Sequence, residues 1–112
     1  LEQESQERVD QSSNEQAYRA VMMKKQDCVA VALSNIPEGT VIKLVCQGQT
    51  ISVRLKENME FGHKFAVVPM AAGDRIYKYG EVIGAATRAI EVGEHVHIHN
   101  LEGLRGRGDK LA

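Results

Sequence analysis

Hydrophobic and polar positions alternate in short bursts from residue 18 onward, in runs of four to eight residues rich in Val, Ile and Ala. Such runs, broken by Gly-bearing turns, predict strands rather than helices. The candidate strands are 20–24, 28–33, 41–45, 50–55, 64–68, 76–78 and 95–99. Pro37-Glu38-Gly39 predicts a turn, with proline fixing φ and glycine supplying a positive φ. Gln47-Gly48 between two alternating runs predicts a hairpin, and Ala72-Gly73-Asp74 and Val92-Gly93-Glu94 predict two further reversals. The stretch 81–89 (EVIGAATRA) is expected to hold one short helix or helical turn. No internal repeat is evident. With no long segment of 3.6-residue period, the expectation is a small all-β domain of short strands.

The flanks read differently. Residues 1–17 are polar and mostly acidic, too poor in apolar side chains to offset ordering entropy, and are expected to form a flexible arm. Residues 18–101 make the folded domain, and 102–112, with the Gly-interrupted basic run Leu104 to Asp109, a linker or tail. The core is expected to be aliphatic, because aromatic residues make up 4% of the chain and Trp is absent. Met22, Met23, Met59 and Met70 read as core or edge fillers.

Charge narrows the function classes. A formal net charge of −1 gives no field that would draw the chain to nucleic acid or an anionic membrane. No apolar run approaches the ~20 residues that span a bilayer. Cys28 and Cys46 lack metal-type spacing and sit in apolar, strand-like stretches, which reads as two reduced thiols. No basic-then-apolar leader is evident, so the chain is read as cytoplasmic.

The chemistry concentrates in four histidines. His63 stands in Gly62-His63-Lys64-Phe65-Ala66, and the other three form His95-Val96-His97-Ile98-His99, followed by Asn100. On an extended strand the three imidazoles would share one face, with Val96 and Ile98 turned to the core. Imidazole ligates Zn, Fe or Ni and works as a general acid or base near neutral pH. Same-face neighbours on a strand lie roughly 6.5–7 Å apart, so one ion on all three requires local bending. Two of them with His63 or a partner's carboxylate is easier to build. A solvated or interface strand face is the competing reading, and spacing alone leaves both open.

The blocks around these residues resemble a known family. Asp27 to Leu33 with Ile36-Pro37-Glu38-Gly39, then Gly62 to Ala66, Ala72 to Asp74, Ile76 to Gly84 and Gly93 to Asn100 resemble the SAF domain of altronate/galactarate dehydratases. They are similar also to the small subunit of sulfolactate sulfo-lyase. The resemblance spans 18–100 and implies a β-clip fold of short bent strands. It implies a small subunit or N-terminal domain that acts with a larger dehydratase subunit or domain. The activity implied is removal of water from a sugar acid to give a 2-keto-3-deoxy product, or of sulfite in the sulfo-lyases. The implied cofactor is a divalent metal, iron(II), shared with the larger part. On this reading His63 and Lys64 are the candidate catalytic residues, Lys64 and Asn100 the substrate contacts, and His95, His97 and His99 the metal ligands. The competing function is a non-catalytic carbohydrate-binding or assembly module, and the exposed edges of a small β domain leave homo-oligomerisation open.

Overall fold

The computed structural model describes residues 17–103, so nearly all of the expected arm and tail lies outside the described residues. Within them the chain is all-β, as expected. Nine short strands follow in order: β1 (Ala20–Val21), β2 (Val29–Ala32), β3 (Val41–Cys46), β4 (Gln49–Arg54), β5 (Lys64–Ala66), β6 (Arg75–Lys78), β7 (Glu81–Ala86), β8 (His95–Val96) and β9 (Leu101–Glu102). They form three antiparallel sheets, ordered β1-β2-β5-β8, β9-β7-β6 and β3-β4.

The four-stranded sheet is covered on both faces. Phe65, Ala30 and Ala32 point into one cluster with Ile36, Ile42, Leu44, Val53, Leu55 and Met59. Val29, Ala66 and Val96 point the other way, into a cluster with Met70, Ile76, Ala86 and Ile90. This two-sided burial is why β2 reads as an unbroken apolar run rather than an alternating one. By contrast β3, with one solvated face, buries Ile42, Leu44 and Cys46 in strict alternation.

The two hairpins turn on two residues each. Gln47 (φ 51°) and Gly48 (φ 83°) join β3 to β4 as the sequence predicts, and Tyr79 (φ 55°) and Gly80 (φ 83°) join β6 to β7. Paired positive φ values are the signature of the type I′ turn, whose twist matches that of the strands it joins.

The helix expected in 81–89 is instead strand β7 followed by a turn. Pairing with β6 takes Glu81 to Ala86 into the ladder, with a bulge between Ile76 and Tyr77. Gly84 is required there because a Cβ would lie 2.4 Å from the Glu102 carbonyl oxygen of the neighbouring β9. Local composition favours a helical turn, but two flanking strands decide the matter.

An internal repeat exists after all. Four nine-residue segments, 32–40, 55–63, 66–74 and 86–94, each run from an apolar residue through Ile or Met to a turn with glycine third. Gly39, Gly62, Gly73 and Gly93 all have φ between 86° and 92°. In each segment the residue after glycine closes the turn, as His63 N–H does on the Glu60 carbonyl at 3.0 Å. The segments pair reciprocally. Gly39 N–H donates to Leu55 and Gly62 N–H to Ala32, while Gly73 N–H donates to Ala86 and Gly93 N–H to Ala66, each at 2.8 Å. Ile36 pairs with Met59 and Met70 with Ile90 through two-way backbone bonds. The repeat escapes sequence inspection because only the glycine and one or two apolar positions recur, while backbone bonding carries the likeness.

Buried Asp27, 1% exposed, ties β1 to the β6–β7 hairpin. Its carboxylate accepts the N–H groups of Met23 (2.9 Å), Lys24 (3.1 Å) and Gly80 (2.8 Å). Burial pushes its carboxyl up, but the backbone donors of Met23, Gly80, Lys24 and Tyr79 outweigh that and hold it below the ordinary range.

Candidate histidine site

Pairing of β5 with β8 builds the site. The register sets Phe65 opposite His95 and Lys64 opposite Val96. Side chains alternate along a strand, so His63, two residues before Phe65, falls on the same side as His95. The chain then leaves the strand: after Val96, residues 97–100 form a turn in which the Asn100 and Leu101 N–H groups bond the His97 carbonyl at 3.0 and 2.8 Å. The expected strand 95–99 therefore stops at Val96. Ile98, expected in the core, is 82% exposed, while Val96 is buried. A strand long enough to hide Ile98 would need a neighbour beyond β8, and among the described strands β8 lies at the sheet's edge.

The turn gathers the imidazoles more closely than a straight strand allows. The His95 ring lies 5.0 Å from that of His63, 5.6 Å from that of His97 and 5.4 Å from that of His99. His63 and His97 are 5.6 Å apart, ring edge to face. His63 Nδ1 and His95 Nε2 stand 2.9 Å apart in a hydrogen bond, so one ring donates and the other accepts. The Glu60 carboxylate lies 3.9 Å from His63 Nε2. Burial, then the neighbouring His63, lowers the His95 pKa; Glu57 opposes this, and His99 and His97 add to the lowering. The lowering favours the neutral imidazole of His95 over its charged form.

Two residues hold this backbone that the sequence reading did not place there. Glu57 Oε2 accepts the His95 N–H at 2.9 Å. Asn100, fully buried, accepts the His97 N–H at 2.9 Å and donates from Nδ2 to the His95 carbonyl at 2.8 Å. Asn100, a candidate substrate contact, commits its amide to the loop that carries the histidines. An Asx residue three positions after the residue it caps is the one available signal, whereas Glu57, 38 residues from His95, leaves none. Lys64 is not brought to the imidazoles by the register. It projects to the opposite face of the sheet, with Val96, where burial first and Lys78 second lower its pKa.

A divalent ion fits this donor set in part. Two imidazoles on one ion, with bonds of about 2.1 Å, place their ring centres roughly 5 Å apart, close to the His95–His97 and His95–His99 spacings. Among the described residues, however, no group of three or more His, Cys, Asp or Glu side chains is already arranged around one point. Among those residues, too, no helix is long and apolar enough to cross a membrane, and both cysteines are free thiols.

The SAF-domain model of altronate/galactarate dehydratases matches residues 18–104. The altronate dehydratase of Bacillus subtilis (strain 168) is 39% identical over 80 residues, covering 71% of this chain and 15% of that protein. That of Escherichia coli (strain K12) is 43% identical over 74 residues, 66% of this chain and 14% of that protein. The (2R)-sulfolactate sulfo-lyase subunit alpha of Paracoccus pantotrophus is 44% identical over 50 residues, covering 45% of this chain and 75% of that subunit. The match thus takes in about one-seventh of the length of the dehydratases and most of the sulfo-lyase subunit.

Proposed function

The chain belongs to the SAF-domain family of the altronate/galactarate dehydratases, and from that premise we propose that it is the small subunit or N-terminal domain of a sugar-acid hydro-lyase. It acts beside a larger catalytic part, in the cytoplasm, and presents its histidine edge to the reaction. The observation that carries this reading is the convergence of four imidazoles on one edge, with His63 and His95 hydrogen-bonded at 2.9 Å.

Dehydration of a hydroxy acid removes the proton beside the carboxylate and expels the β-hydroxyl. His63 is suited to the proton transfer. Its Nδ1 is hydrogen-bonded to His95, and Nε2, 3.9 Å from the Glu60 carboxylate, is the nitrogen that would take or return a proton. His95, His97 and His99 would hold a divalent cation such as iron(II), with the remaining donors from the larger part. When bound, the cation supplies charge stabilisation at the substrate carboxylate. Glu57 and Asn100 keep the histidine backbone in place.

The likeness to a sulfo-lyase subunit alpha, 75% of which is matched, supports a separate-subunit form and makes sulfite elimination the second reaction to assay. The test mixes the purified chain with the large hydro-lyase chain of its own genome and Fe(II), and follows elimination from altronate, galactarate and sulfolactate. Activity that requires the mixture and falls at least about 100-fold with His63→Ala is expected. No gain over the large chain alone refutes the catalytic role and leaves a carbohydrate-binding or assembly module.

A further inference from the structure

The repeat exposes a residue that its turn does not need. The residue before the turn glycine is Glu38, Phe61, Ala72 and Val92 in the four segments. Glu38 and Ala72 are exposed, as a turn tip should be, and Val92 packs against the first core cluster. Phe61 does neither: an aromatic ring stands 66% exposed at the tip of the turn that delivers His63. Its backbone is pinned there, because the Phe61 N–H bonds Asn35 Oδ1 at 2.8 Å and Gly62 N–H bonds the Ala32 carbonyl at 2.8 Å. That pairing also sets Leu33, 43% exposed, near the same tip. On the other side of the imidazoles Ile98 is 82% exposed, between His97 and His99. Large apolar side chains therefore flank the histidines on both turns that carry them.

We propose that Phe61 and Ile98 anchor the larger catalytic part over the histidine edge, so that the reacting site forms at the junction of the two. This rests on the function proposed above and adds the surface at which the partner seats. Three observations select that occupant. The matched segment is 15% and 14% of two altronate dehydratases, so about six-sevenths of such a protein lies outside it. Among the described residues no group of three or more His, Cys, Asp or Glu side chains is arranged to hold an ion, so a metal site at this edge would take further donors from the seated partner. The pattern of rigidly held aromatic and aliphatic anchors around polar groups is that of an interface centre.

The experiment measures binding of the full chain to the large hydro-lyase chain of its own genome by titration calorimetry. It compares wild type, Phe61→Asp, Ile98→Asp and a control, Val45→Asp. Val45 is 73% exposed on the outer face of β3, opposite the buried face of that hairpin. All three parent side chains are solvent-exposed, and thermal melts check that each variant is folded. Phe61→Asp and Ile98→Asp should each weaken binding at least about 30-fold, as loss of an anchor does, with Val45→Asp within about threefold of wild type. Equal weakening by all three, or weakening by Val45→Asp alone, overturns the proposed surface while the functional reading stands. Absence of any binding, together with no gain of activity in the mixture, overturns both.

Discussion

Replacing Asn100 by Ala tests whether one buried amide organises the histidine edge. The side chain is fully buried and bonds two backbone groups, the His97 N–H at 2.9 Å and the His95 carbonyl at 2.8 Å. Alanine strands both. A buried polar group left without its partner costs about 1–3 kcal/mol, so two give about 2–6 kcal/mol, with a small cavity term in addition. Water entering the loop offsets part of this, and we expect a loss of about 3–4 kcal/mol. That is a large share of the 5–15 kcal/mol typical of a whole domain. Urea denaturation of the full chain at pH 7.5 measures it. Amide exchange at His97 should rise in parallel, because that N–H loses its acceptor outright. Asn100→Asp separates shape from hydrogen bonding: it keeps an acceptor for His97 but sets a carboxylate oxygen against the His95 carbonyl, and should be no better tolerated. A loss below about 1 kcal/mol with unchanged exchange at His97 would refute the reasoning.

The remaining predictions concern glycine, aspartate and histidine. Gly93→Ala and Gly39→Ala share the same backbone strain, with φ of +89° and +87°, but only Gly93 would set a Cβ 2.0 Å from a backbone oxygen, that of Arg54. Gly39→Ala should cost about 1–2 kcal/mol and Gly93→Ala more than about 4 kcal/mol or the fold itself; equal melting temperatures would contradict this. The depressed Asp27 pKa means that its contribution is fully present above the unfolded value of about 3.9 and is lost as pH falls through the lower folded value. Asp27→Asn should therefore destabilise at pH 7 and flatten the acid limb of a stability–pH curve; an unchanged limb counts against it. For His95, also depressed, the unfolded chain binds the proton first as pH falls below about 6.5. Stability should be highest above that value and decline below it, toward the folded pKa, and His95→Gln should remove part of the decline in denaturation series between pH 5 and 7.5.

The all-β class, seven of the strand positions and the Gln47-Gly48 hairpin were legible from short apolar runs and turn residues, because period-2 patterning and positive-φ demands are local. His63 and the His95–His99 cluster could be picked out as candidates in the same way, since residue type and spacing are local too. Strand β7 was not legible: its Gly-Ala-Ala stretch carries little strand preference, and only β6 and β9 on either side define it. Ile98 misled for the same reason, as alternation predicts burial only while a strand has something to pack against. The closeness of His63 to His95, the capping by Asn100 and Glu57, and the separation of Lys64 from its neighbour His63 all depend on the β5–β8 register. Register is a pairing between residues some thirty positions apart, so local chemistry identified the groups and only the tertiary structure decided which of them meet.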